Sequence, residues 1–183
     1  RNRHCPKCQT MTKEKWLDSR VSELLPATYY HLVFTLPHDL NPVILCNMKP
    51  LLDLLFFSVN QTIKLFAADP QWRLQGKPGF IAVLHTWNQT ILDHFHLHCL
   101  VPGGVLSKDN TQWTPSKKNY LFRTSALVKV FKGIYINGLK QLFQDGDLKF
   151  PGNTAKHGTP RGFNRLIKTI RKKKWSGYAK APC

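Results

Sequence analysis

The sequence predicts an α+β domain in which helices pack on one face of a β-sheet, and three observations lead there. Runs rich in aromatic and β-branched residues read as strands at Tyr29 to Leu36, Phe80 to Thr86 and His94 to Val101. Other stretches space their apolar residues at helical intervals. The resulting order of strand, helix, strand, strand, helix is that of a sheet with helices laid against it. No internal repeat is present.

The elements follow in chain order. Residues 1 to 25 form a polar, basic lead-in containing Cys5 and Cys8. The strand from Tyr29 stops at Pro37, which cannot donate to a ladder. From Leu51 to Ala68 the positions Leu51, Leu54, Leu55, Val59, Ile63 and Phe66 trace one helical face, and Asp69-Pro70 ends it. A loop with Gly76, Pro78 and Gly79 leads into the second strand. A polar break at Asn88 to Asp93 precedes the third, Pro102-Gly103-Gly104 turns the chain, and Val105 to Trp113 completes a hairpin. Ser125 to Phe143 is a helix by its apolar face (Leu127, Val130, Phe131, Ile134, Leu139, Leu142), although Gly133 and Gly138 lower its propensity. A last helix, Pro160 to Lys174, carries Phe163, Leu166, Ile167 and Ile170 on one stripe.

Charge gives the first functional indication. The 183 residues include 27 Lys and Arg against 10 Asp and Glu, a formal +17, and this favours a polyanionic partner. Between Leu148 and Cys183 there are ten basic residues and no acid. On the last helix Arg161, Arg165, Lys168 and Lys172 lie opposite the apolar stripe, and Arg171, Lys172, Lys173 and Lys174 run unbroken into Trp175 and Tyr178. Such a face neutralises phosphates, and neighbouring aromatics can stack on unpaired bases. The richest apolar stretch, Pro42 to Val59, is interrupted by Asn47, Lys49, Pro50 and Asp53, short of the roughly 20 apolar residues of a membrane span. The opening RNRHCPKCQ has no apolar signal region, and five cysteines with one C-x-x-C suit a reducing compartment. The expectation is a cytoplasmic protein that meets nucleic acid and no membrane.

His94, His96 and His98 alternate with Phe95, Leu97 and Cys99. In a strand the imidazoles then share one face and the apolar residues the other. Histidines on one face can converge on a divalent metal that keeps positions open for water or phosphate oxygen, the requirement of phosphodiester cleavage. Cys99, facing away from them, is a small core residue. Cys5 and Cys8 supply half of a tetrahedral zinc site, with His4 close by, while Cys46, Cys99 and Cys183 have no evident partner.

FTLP at Phe34 to Pro37, followed downstream by His-Leu-His in an apolar strand, resembles the first two motifs of the HUH endonucleases. More closely, YYHLVFTLPHDLNP (Tyr29 to Pro42), FIAVLHTWNQ (Phe80 to Gln89), HFHLHCLVPGG (His94 to Gly104) and KFPGN (Lys149 to Asn153) resemble the two-tyrosine, rolling-circle transposases of the insertion sequence ninety-one type. RNRHCPKCQ resembles the end of that family's N-terminal zinc-binding module. The resemblance implies a central antiparallel sheet carrying the His-x-His strand, helices packed behind it, and a partial zinc-binding segment in front. It divides the chain into residues 1–25, the remnant of the zinc module, and 26–183, the HUH domain.

Carried over residue by residue, the resemblance makes His96 and His98 the paired ligands of Mg²⁺ or Mn²⁺, with Gln89 or His85 as the third. It implies zinc at Cys5 and Cys8, single-stranded DNA at transposon ends as the partner, and a bacterial, nucleoid-associated location. Three histidines in one strand span about 13 Å, so His94 is assigned to DNA or to the surroundings of the site. The family's nucleophile is a tyrosine, one of a pair four residues apart on a helix beyond a WxxYAKxP segment. That segment matches Trp175 to Pro182, so the nucleophile is expected beyond Cys183, the domain is expected to be incomplete at both ends, and this fragment is expected to cleave poorly. Tyr29 and Tyr30 are adjacent in a core strand, and Tyr120, Tyr135 and Tyr178 stand alone. Two other readings stand beside this one. A non-catalytic basic DNA-binding module would leave the histidines structural. A hydrolase acting through activated water would draw on Asp93 and Asp109, the only carboxylates near the histidines in sequence.

Overall fold

The computed structural model describes residues 6–87, 92–117 and 122–180, with backbone alone for 6–9 and no side chain for Trp72. Helix α1 (Pro6–Ser22) fills most of what the sequence suggested was a lead-in. Its apolar residues do not gather on one face, and Met11, Trp16, Leu17 and Val21 remain exposed.

Strand β1 (Tyr29–Thr35) follows and alternates half-buried with buried residues, sending Tyr30, Leu32 and Phe34 into the core. After it come α2 (Asn41–Cys46) and α3 (Met48–Ala68), which buries Leu51, Leu54, Leu55, Val59, Ile63 and Phe66 as its spacing predicts. Among the described residues α3 is the one helix long and apolar enough to cross a membrane, but half of its apolar window is buried inside this domain. Strands β2 (Ile81–Trp87) and β3 (Asp93–Pro102) lie antiparallel, with a register irregularity between His85 and Trp87.

The hairpin expected after β3 is displaced. Val105 does not return along β3; instead β4 (Gly104–Leu106) pairs with β5 (Trp113–Pro115) in a separate two-stranded sheet. Gly104 makes this possible, because a Cβ there would lie 2.4 Å from the Trp113 ring. Asp109, at the tip, accepts from the Ser107 hydroxyl and the Thr111 amide, which hold its carboxyl below the usual range. It shapes the turn and does not belong to the histidine strand.

Helix α4 (Thr124–Gln144) runs along α3. Gly138, read in the sequence as a weak point, is where α4 meets Leu54 of α3, and a Cβ would come 2.3 Å from the Leu54 Cδ1. Helix α5 (Pro160–Lys172) buries Phe163, Leu166, Ile167 and Ile170, with the Phe163 ring stacked on Phe143 of α4 at 3.9 Å. The chain then adds a strand the sequence did not suggest: β6 (Gly177–Lys180) pairs with β1 from His31 to Phe34.

The main sheet is antiparallel throughout, in the order β2-β3-β1-β6, so the histidine strand lies inside it. Phe34 of β1 meets Phe131 of α4 edge to face at 5.1 Å, fixing the helices on the apolar side. Trp175, offered by the sequence as a base-stacking aromatic, is instead a core residue, 4% exposed. It sits against Phe131 and Tyr135 and donates its indole N–H to the Ile170 carbonyl.

Candidate metal centre

Strand alternation places the first two ligands. Phe95, Leu97 and Cys99 are 1% exposed or less. His94, His96 and His98 therefore project from the opposite face, where His94 and His98 are half-buried and His96 is 8% exposed. Burial pushes the Cys99 thiol up to about 12, consistent with an inert core cysteine.

The register of β2 on β3 supplies the third group. His85 stands directly opposite His96, and paired residues in an antiparallel ladder point to the same side. One ring nitrogen from each of His85, His96 and His98 lies within 4.8 Å of the others. Two imidazole nitrogens on one ion stand at most about 4.2 Å apart at metal–nitrogen bond lengths near 2.1 Å, so a small ring rotation closes the set. Gln89, the other candidate, lies outside the described residues, as do Cys5, Tyr120 and Cys183, and the side chain of Cys8 is not described.

Two hydrogen bonds fix how the rings can act. His96 Nδ1 is 2.7 Å from the His94 carbonyl, an acceptor only, so Nδ1 carries the proton, which in the neutral ring leaves the Nε2 lone pair free. His98 Nδ1 is 2.8 Å from His31 Nε2 on β1, and the two rings stack at 5.0 Å. At the other end His94 Nδ1 lies 3.2 Å from His38 Nε2. Six of the eight histidines thus form one continuous line across the sheet. The sequence reading missed His31 and His38. His31 does share β1's outward parity with Val33, but only the β1–β3 register brings it to His98.

Such a line disfavours protons. Desolvation, then the neighbouring His85, His96 and His31, lower His98 to about 4. His85 is lowered by desolvation and by His96, and His94 by desolvation, His96 and His38. His85 and His98 are therefore neutral at physiological pH, the form in which imidazole binds a metal. The donor set fits a divalent cation.

The basic residues named from the sequence, Arg161, Arg165, Lys168, Arg171, Lys172, Lys173 and Lys174, are all exposed. Lys132 caps the end of α5 by donating to the Arg171 and Lys173 carbonyls. Lys173 Nζ reaches Asp39 at 3.6 Å, tying this end of α5 to the turn that carries His38. Tyr178 is 53% exposed and meets His31 edge to face at 6.2 Å, so it borders the histidine line. Tyr135 is fully buried, and Tyr30 is 3% exposed.

An antiparallel sheet with a histidine face and helices on its other side is the HUH class of architecture that the motifs implied. A family model described as "Putative transposase" matches residues 79–183, more than half of the chain, and a second, described as "Transposase zinc-binding domain", matches residues 1–36. The chain belongs to this transposase family, the HUH-type transposases of the insertion sequence ninety-one type.

Among curated proteins it is 38% identical over 182 residues to "Putative transposase y4qJ" of Sinorhizobium fredii, covering 100% of this chain and 46% of that protein. It is 32% identical over 125 residues to the transposase for insertion sequence element IS801 of Pseudomonas savastanoi pv. phaseolicola, covering 68% of this chain and 28% of that protein. The chain spans less than half the length of either relative. Among solved structures, a metal-bound conjugative relaxase TrwC in complex with oriT DNA aligns over 80% of this chain and 65% of its own, at 13% identity and a TM-score of 0.46.

Proposed function

We propose that this chain is the strand-holding and metal-holding part of a DNA transposase, acting on single-stranded DNA at transposon ends in the bacterial cytoplasm, at the nucleoid. The observation that carries the reading is the convergence of His85, His96 and His98 on one sheet face, in a chain of a transposase family. A divalent ion held there would polarise a scissile phosphate and orient it for in-line attack.

The chain's own residues account for the preparation of that step. The His94 carbonyl sets the tautomer of His96, and His31 sets the orientation of His98. The exposed cations of α5 and of the run to Lys174 would draw in the backbone, and Tyr178 offers a flat surface to an unpaired base. All three ligands are imidazoles, and no carboxylate joins the described cluster, a set that suits a first-row transition-metal ion better than Mg²⁺. In the whole transposase a tyrosine oxygen would bond to the phosphorus, joining the 5′ end, while the 3′ oxygen leaves as a hydroxyl. We assign that role to a tyrosine of the family's paired-tyrosine helix. Residues 1–25, with Cys5 and Cys8, would belong to the zinc module, and 26–183 to the HUH domain.

Calorimetry of Mn²⁺ binding in the presence of a single-stranded oligonucleotide tests the reading. The His96→Ala, His98→Ala double variant should lose the metal, and oligonucleotide binding should weaken when the ion is chelated. Oligonucleotide binding that ignores both chelation and the double substitution would instead identify a non-catalytic basic DNA-binding module.

A further inference from the structure

A basic cavity lies off the three-histidine cluster and takes in Arg165, one of the α5 cations already assigned to the DNA backbone. Its walls are Asp39 and Pro42 after β1, the 3-10 turn Gly152–His157, and one stripe of α5 from Gly162 to Thr169. It encloses about 390 Å³. Lys156, His157 and Arg165 face it, together with the polar Asn153, Thr154 and Thr169. Asp39 is the one acid in the lining, and Lys173 offsets it.

The walls are held in place by the KFPGN segment, whose purpose the metal centre leaves unexplained. Asn47, 4% exposed, grips its first residue from both sides. The Asn47 amide donates to the Lys149 carbonyl at 2.8 Å and to the Val43 carbonyl at 2.9 Å, and its oxygen accepts from the Lys149 N–H at 2.7 Å. Gly152, at φ +54°, then reverses the chain in a conformation other residues rarely adopt. The turn that follows rests directly on α5, because a Cβ on Gly162 would fall 1.7 Å from the Lys156 carbonyl oxygen. Lys156, His157 and Arg165 are therefore carried by backbone that has little freedom to move apart.

Their polar groups are uncommitted. The Nδ1 of His157 is buried and has no hydrogen-bond partner in the protein. Neither Lys156 nor Arg165 takes part in an ion pair among the described residues. Unpaired cations around a fixed polar cavity, with the half-buried His157 ring in its wall, are suited to an oxyanion. At about 30 Å³ per water the volume equals roughly thirteen waters, more than one phosphate needs and enough for a phosphate with its adjoining sugar. The cavity also adjoins the far end of the histidine line: Asp39 lines it, and the preceding residue, His38, touches His94.

We propose that this cavity is a phosphate-binding subsite separate from the histidine centre, in which Arg165 and Lys156 pair with phosphate oxygens and the His157 ring hydrogen-bonds to one of them. That the phosphate is a backbone group of the strand held at the metal centre rests on the function proposed above. A free phosphate would use the same groups.

The test follows the His157 imidazole by NMR in the full 183-residue chain. Inorganic phosphate is titrated against chloride at matched ionic strength, and then a short single-stranded oligonucleotide is added. The Lys156→Gln, Arg165→Gln variant changes only exposed side chains, and unchanged Mn²⁺ affinity verifies its fold. The expected result is a saturable shift of the His157 signal, at least tenfold weaker in the variant. The slope of log affinity against log salt for the oligonucleotide should also fall by about 0.7 per lost phosphate contact. A response to inorganic phosphate in a protein that binds no oligonucleotide would keep the subsite, assign it to free phosphate and overturn its link to the strand. A His157 signal that ignores both ligands, or responds equally in the variant, would overturn the subsite whether or not the histidine centre holds its metal.

Discussion

His31 and His98, from neighbouring strands, share a hydrogen bond of 2.8 Å between Nε2 and Nδ1, with their rings stacked 13° from parallel. A ligand that coordinates through Nε2 must carry its proton on Nδ1, and His31 is placed to accept it. Partners of this kind are worth about 10- to 100-fold in metal affinity. His31→Leu should therefore weaken Mn²⁺ binding by about that factor in calorimetry. His31→Asn, which keeps an acceptor, should recover part of the loss. Equal affinity in His31→Leu and the parent would show that His98 needs no such partner.

The third ligand is decided by comparing two single variants. His85→Ala should reduce Mn²⁺ affinity at least tenfold, because His85 stands opposite His96 within the three-histidine cluster. Gln89→Ala should change it by less than half as much. The reverse ranking would move the third ligand to the β2–β3 connection.

The lowered histidines make stability depend on pH with a definite sign. His98 falls from the ordinary 6.5 to about 4 in the folded protein, and His85 and His94 shift the same way. Above pH 6.5 neither folded nor unfolded chain protonates His98, and its contribution is constant. Between 6.5 and about 4 the unfolded chain takes up protons that the folded one refuses, so stability is lost as pH falls. Urea midpoints of the metal-free protein should drop through this window, and less steeply in His98→Gln. A midpoint that holds flat from pH 7 to 4.5 would contradict the shift.

Trp175 and Tyr178 should separate stability from binding. Trp175→Ala removes a buried ring and should cost about 3–5 kcal/mol of unfolding free energy. Tyr178→Ala should leave the urea midpoint nearly unchanged and weaken single-stranded oligonucleotide binding by about 1–3 kcal/mol if a base stacks there. Fluorescence anisotropy at fixed salt reads the second effect.

Asn47 bridges parts of the chain 102 residues apart. Asn47→Ala removes three hydrogen bonds, one buried and two part-buried, an expected loss of about 3 kcal/mol. Hydrogen exchange should show the Lys149 amide losing protection first.

What the sequence determined alone is whatever a local period can specify. Alternation in His94 to Val101 placed His96 and His98 on one face and Cys99 in the core, because successive strand residues point to opposite sides whatever surrounds them. The apolar spacing of α3 and α5 was legible for the same reason, and the long motifs carried the family. On α4 the face is turned, with Tyr135 and Ile136 buried and Val130, Ile134 and Leu142 only partly so. Tertiary structure decided which strands are neighbours and in what register. The positions of His85 and His31 beside the His96–His98 pair depend on pairings between distant segments, as does β6 on the edge of β1. Trp175 and Tyr178 look alike as aromatics beside a basic run. One fills the core and the other faces outward because the chain enters the sheet at Gly177, and no spacing within that run encodes where the sheet will be.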